Sequence, residues 1–176
     1  KCHSFGIAIS NNASKQVKPK LFIYNQLVHA VDVGESFMYL GRSFDFRMSN
    51  NYHKEKIVKT LVSYMDTVTS LPLHPKNKIM LYQRYILPKL CWDLTVANLG
   101  VTWVKQTLDN KISSYVRVWC EMPISATLSI AKLAKKQYGL GLVLASTRYA
   151  QCQVTFRNCL RNSTNIDIRY MHQDST

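Results

Sequence analysis

Hydrophobic positions change their spacing once along this chain, near residue 50. Before that point they recur every second residue or in short runs. Residues 3–10 alternate around Phe5, Ile7 and Ile9, and residues 20–24 and 27–31 flank Asn25-Gln26 as the two arms of a hairpin. Residues 37–46 form a further β run interrupted by Gly41, where a glycine marks a bulge or a close backbone approach. The polar, basic stretch 11–18 reads as a loop.

After Asn50-Asn51 the spacing becomes three and four. Ile57, Leu61, Tyr64, Met65 and Val68 form one stripe over residues 53–71, and Pro72 ends it. Pro75 suits the first turn of a second helix over 76–92, in which Ile79, Gln83, Ile86, Leu87, Leu90 and Cys91 recur at helical spacing. Pro88 predicts a kink or an early end there. Residues 103–121 carry the cleanest stripe, Leu108, Ile112, Tyr115, Val116 and Trp119, stopped by Pro123. A short helix over 125–138 would close at Gly139 in the left-handed region, and a last helix over 145–162 would lead into a frayed polar tail. Strands followed by helices predict an α+β fold: a small antiparallel sheet or hairpin over about 3–47, then a helical bundle. The domain plan is 1–50, 51–124 and a C-terminal extension 125–176.

Composition agrees with a folded chain. Of 176 residues, 47% are hydrophobic and 19% charged, too apolar for a disordered tail, and no repeat or low-complexity tract is present. No apolar stretch approaches the roughly 20 residues that span a bilayer, so no membrane partner is expected. Five cysteines without a CxxC pair fit a reduced, intracellular protein. The N-terminus has neither an initiator Met nor a leader pattern, and the chain reads as cut from something longer.

Charge adds a partner class. Lys and Arg total 23 against 10 Asp and Glu, a net of +13. The excess is distributed: +3 over residues 1–52, +5 over 53–121 and +5 over 122–176. A surface so positive attracts polyanions, nucleic acid first. Aromatic residues interleave with the cations, as in the run from Phe37 through Tyr39, Leu40 and Gly41 to Arg42, and in Tyr82-Gln83-Arg84-Tyr85. Lys54, Lys56, Lys59, Lys76 and Lys78 flank the first two helices, where they can follow a phosphate backbone. The bland alternative is a helical interaction module with incidental charge.

Catalytic chemistry is sparse. None of the ten carboxylates forms an Asp-Asp pair, whereas two-metal chemistry needs converging acids around ions about 3.5–4 Å apart. Asp32 with Glu35 is the nearest candidate for a small metal-dependent hydrolase. Cys152, Cys159 and His172 give a weak zinc spacing, against which stands the simpler reading of separated cysteines on helix faces. There is no GxSxG, HExxH or P-loop.

The ordered series Lys1-Cys2, Tyr39-Leu40-Gly41, Leu71-Pro72-Leu73, Tyr85-Ile86-Leu87-Pro88-Lys89-Leu90, Trp103, Leu108-Asp109, Val116-Arg117-Val118-Trp119, Pro123 and Gly139-Leu140-Gly141-Leu142 resembles the distal part of a LINE-type (non-LTR) retrotransposon reverse transcriptase. The resemblance covers about residues 1–145. It implies that Lys1 is a proton donor to departing pyrophosphate. It also implies that Tyr39, Leu40, Gly41 and Arg42 belong to a primer-grip hairpin. Residues 53–121 would then be a thumb on an RNA/DNA primer–template, with Lys54, Lys56, Lys59, Lys76, Lys78 and Arg84 near its phosphates.

The family's catalytic aspartates lie upstream of the matching region, together with fingers and most of the palm. The chain is therefore expected to be inactive alone as an RNA-directed DNA polymerase and to bind no cofactor of its own, Mg2+ belonging to the full-length enzyme. Its location would be the nucleus or a cytoplasmic ribonucleoprotein. Tyr138 stands where the family often has a glycine, and a bulky residue is not expected to take positive φ there.

Overall fold

The structure, a computed structural model, describes residues 3–10 and 13–174, and it divides into two units, Lys1–His53 and Lys54–Thr176. The fold is α+β, as the change in spacing predicts.

The first unit consists of four two-stranded ladders. Strand β1 (His3–Ser4) pairs in parallel with β6 (His29–Ala30). The other three ladders are antiparallel: β2 (Gly6–Ser10) with β3 (Ala13–Val17), β4 (Phe22–Ile23) with β5 (Gln26–Leu27), and β7 (Phe37–Tyr39) with β8 (Arg42–Phe44). The expectation of a loop over 11–18 is overturned for Ala13–Val17. That strand is exposed or half-buried throughout, so it shows none of the apolar alternation that marks a one-sided strand.

Two hairpin tips place both central residues at positive φ, as two-residue turns of matching twist require: Tyr24 (48°) with Asn25 (61°), and Leu40 (47°) with Gly41 (78°). Hence the first tip is Tyr24-Asn25, one residue before the expected Asn25-Gln26. Gly41 turns the chain instead of bulging a continuous strand.

Little apolar surface is enclosed here. Val31 is the one buried hydrophobic side chain among the described residues of this unit. Polar ties carry the connectivity. Gln16 donates to the Asp32 carbonyl at 2.9 Å and accepts from the Gly34 N–H at 3.2 Å, and Lys18 pairs with the Asp32 carboxylate. Phe37 and Phe44 stack across β7–β8 at 5.6 Å.

The helical unit opens in α1 (Asn51–Ser70), in which Ile57, Leu61, Met65 and Val68 are buried, whereas Tyr64 of the expected stripe is exposed, at the edge of the buried face. Next come α2 (Pro75–Leu81), a wide π turn over Tyr82–Ile86, and α3 (Leu87–Val96). Pro88 neither ends nor breaks this run. The Leu87 N–H reaches back five residues to the Tyr82 carbonyl, and Pro88 falls at the start of α3, where its missing N–H costs least. A second run follows the same plan: α4 (Val101–Trp103), a π turn over Val104–Asp109, and α5 (Asn110–Trp119).

The expected helix over 125–138 is two short pieces, α6 (Ser129–Lys132) and a 3-10 turn over Lys135–Gln137. It closes on Tyr138 at φ 59°, not on Gly139. This corrects the expectation for Tyr138. Glycine is required at 139 for space, because a Cβ there would collide with the Leu133 backbone. Helix α7 (Ala145–Arg161) follows, and the expected frayed tail contains a further helix, α8 (Ile166–Asp174).

One core joins these helices: Ile57, Leu61, Leu87, Leu90, Leu94, Leu108, Ile112 and Val116 meet Leu142, Ala145 and Tyr149. Each fully buried aliphatic side chain contributes about 1.5–3 kcal/mol. Residues 125–176 share this core through α7. Tyr149 Oη donates to the Leu99 carbonyl at 2.7 Å, Gln153 caps the Leu94 and Thr95 carbonyls at 2.9 and 3.1 Å, and Asp109 accepts the Ser146 N–H at 3.0 Å in the first turn of α7.

Candidate nucleic-acid interface

Helix α1 buries one stripe and leaves another facing a cleft. Lys54, Val58 and Val62 recur every fourth residue, with Lys59 and Asp66 beside them, and Trp103 and Thr107 form the opposite wall. The cleft holds about 780 Å³. Lys54 Nζ stands 5.6 Å from the Trp103 ring centroid, and further along α1 Lys89 Nζ stands 4.8 Å from that of Tyr64. Such pairs hold an ammonium by its attraction to the ring face while leaving its protons to solvent or phosphate.

Charge on the cleft walls is balanced in number, since Glu55 and Asp66 accompany Lys54 and Lys59. Asp66 is engaged: its carboxylate accepts the Tyr115 hydroxyl at 2.5 Å. Partial burial together with that bond pushes the Tyr115 phenol up to about 12.

The cations expected at an interface divide by geometry. Lys56 points inward, its Nζ 3.0 Å from Oδ1 of buried Asp93. Lys78 donates to the Thr69 carbonyl at 2.8 Å, closing the C-terminal end of α1. Lys54 and Lys59 line the cleft, whereas Lys76 and Arg84 line a separate pocket beside Tyr138. Lys54, Lys59, Lys76 and Arg84 have no acidic partner among the described residues. Lys1 lies outside the described residues.

In the β7–β8 hairpin, Tyr39 pairs with Arg42 in register, Leu40 and Gly41 form the tip, and Arg42 stacks over Phe44 at 5.2 Å. Tyr39 and Leu40 are both exposed. A left-handed Leu costs about 1–2 kcal/mol.

The other candidate chemistry does not assemble. Asp32 is taken up by Lys18, whose hydrogen bond and charge hold the carboxyl below its ordinary range. Among the described residues no three His, Cys, Asp or Glu side chains come together as a metal site, and the side chain of His172 lies outside them. Burial pushes the Cys91 and Cys120 thiols up, Cys91 further through Cys152 beside it, so both stay protonated and are poor nucleophiles. Among the described residues no helix is long and apolar enough to cross a membrane.

Sequence reasoning missed Trp103 as the ring beside Lys54, and the pairing of Lys89 with the Tyr64 ring. It also missed Asp93 as the reason Lys56 turns inward. A lone acid within the apolar run 87–96 was a usable signal, because a buried carboxylate requires a counter-charge. No protein-family model and no curated protein matches this chain.

Proposed function

We propose that the chain is the primer-grip hairpin and thumb of a non-LTR retrotransposon reverse transcriptase, holding RNA/DNA primer–template duplex for catalytic carboxylates carried upstream. One observation supports this most: cations outnumber acids in the helical unit, three of its acids have partners within the fold, and Lys54, Lys59, Lys76 and Arg84 have no acidic partner among the described residues. Residues 54–176 carry seventeen Lys and Arg against seven Asp and Glu. Among those acids Asp93 is taken by Lys56, Asp109 by the Ser146 N–H and Asp66 by the Tyr115 hydroxyl. Lys54 and Lys59 remain available along a cleft with an aromatic wall. An A-form hybrid is held by shape and phosphate contact, which suits cations presented without base-reading side chains.

In this reading the chain supplies grip, not phosphoryl transfer. It acts with the fingers and palm of its polyprotein and works in the nucleus or a cytoplasmic ribonucleoprotein. Titration with a blunt RNA/DNA hybrid at several salt concentrations tests it. Binding that is indifferent to sequence, with log affinity falling linearly against log salt, is expected. Binding no better than that of an unrelated protein of equal charge replaces this reading with the bland interaction module.

A further inference from the structure

Outside the cleft, a second group of cations converges on the turn that joins α6 to α7. That turn is rigid. Gly141 N–H donates to the Leu133 carbonyl and Leu142 N–H to the Ala131 carbonyl, both at 2.8 Å, and Gly139 packs against Leu133 too closely for any Cβ. The π turn anchors it from the other side, with Gln83 Nε2 donating to the Gly141 carbonyl at 2.8 Å and Tyr82 Oη to the Val143 carbonyl at 2.9 Å.

Tyr138 sits at the apex of this turn in the left-handed region, φ 59°, with 97% of its surface exposed. Its backbone conformation is unfavourable for a side chain with a Cβ. Neither burial of the ring nor, among the described residues, a hydrogen bond of its hydroxyl offsets that cost. The backbone bonds of the turn, Tyr138 N–H to the Lys135 carbonyl and Gly139 N–H to the Ala134 carbonyl, both at 3.2 Å, hold the residue there, and a strained residue held by its surroundings recurs at ligand clamps. Tyr138 lines a pocket of about 370 Å³ together with Lys76, Arg84 and Lys135, with Ile79 and Met80 on its apolar wall and no carboxylate. None of the three cations has an acidic partner among the described residues.

We propose that this pocket binds a nucleotide unit with an unpaired base, the base stacked on Tyr138 and its phosphates on Lys76, Arg84 and Lys135. An exposed aromatic ring beside clustered cations is the arrangement by which single strands are held, whereas a duplex offers no free base face to the ring. The inference rests on residues apart from the α1 cleft.

The test uses the intact chain with a fluorescent deoxyadenosine tetranucleotide, and with adenosine monophosphate as competitor. Tyr138→Gly is the informative variant, because glycine accepts the left-handed backbone and leaves the fold intact, which a thermal melt verifies. The tetranucleotide should bind the native chain and lose at least tenfold in affinity with Tyr138→Gly. Arg84→Gln and Lys135→Gln should each reduce the salt slope by about one. Competition by the monophosphate assigns the site to free nucleotides, and its absence alongside Tyr138-dependent tetranucleotide binding assigns it to a strand. Equal affinity of Tyr138→Gly and the native chain, or no saturable tetranucleotide binding, overturns the proposal. Blunt hybrid binding unchanged by Tyr138→Gly separates this site from the cleft.

Discussion

The two units obtain order by different means. The helical unit encloses a continuous core from Ile57 to Tyr149, whereas among the described residues of the β unit only Val31 is a buried hydrophobe, while Ile7, Ile9, Phe22, Leu27 and Met38 lie exposed. Local pairing and polar ties hold the second kind of structure, and isolated two-stranded hairpins are marginal in water. The contrast shows where stability and function separate. In the reading proposed above, the helical unit is a scaffold with binding groups on its outside, and the exposed apolar surface of the β unit is what a palm would cover.

The sharpest way to break this comparison is to delete one side chain from each unit. Leu61→Ala should cost about 2–5 kcal/mol in denaturant unfolding, while Ile9→Ala should stay within about 0.5 kcal/mol. Equal costs would show that the β unit has a core after all.

Lys56 and Lys59 provide the next test, three residues apart on α1 and assigned opposite roles. Lys56→Gln leaves Asp93 short of its counter-charge and should destabilise by about 1–3 kcal/mol. Lys59→Gln should leave stability within about 0.5 kcal/mol and lower the salt slope of hybrid binding by about one. Reversed outcomes would undo the division between scaffold and interface cations.

A pH titration separates the units from opposite ends. Asp45 is lowered by hydrogen bonds from the Ser49 hydroxyl and N–H, and Asp32 by Lys18. Because these folded values lie below the ordinary carboxylate range, their contribution is present above that range and lost as pH falls through the folded values, loosening the β unit in acid. Tyr115 is shifted the other way, so its contribution is complete below pH 10 and lost as pH rises through about 12, in the helical unit. Tyr115→Phe should remove that alkaline step in a spectroscopic titration.

Smallest is the hairpin tip. Leu40→Gly relieves a left-handed leucine and should stabilise β7–β8 by about 1 kcal/mol or less, readable as slower amide exchange.

Legibility followed burial. Helix stripes were readable because one face meets a core at period 3.6: Ile57, Leu61, Met65 and Val68 are buried as expected, while Tyr64, expected on the same stripe, is exposed. Ala13–Val17 was not, because a strand without a buried face leaves no periodic mark. Pro88 misled because the π turn before it places proline at a helix start. Tyr138 misled because tertiary ties around Gly139 override its backbone preference. Among the candidate site residues, the run of lysines on α1 was visible, but which of them face outward depends on Asp93 and Trp103, which lie far along the chain.

Lysine footprinting tests the central claim most directly. The intact chain is acetylated with and without a blunt RNA/DNA hybrid at low salt, and each lysine is quantified by mass spectrometry. The account predicts that Lys54 and Lys59 become protected by the hybrid, while Lys56 and Lys78, already engaged within the fold, keep the same low reactivity in both states. Protection spread evenly over all lysines, or none at Lys54 and Lys59, would contradict it.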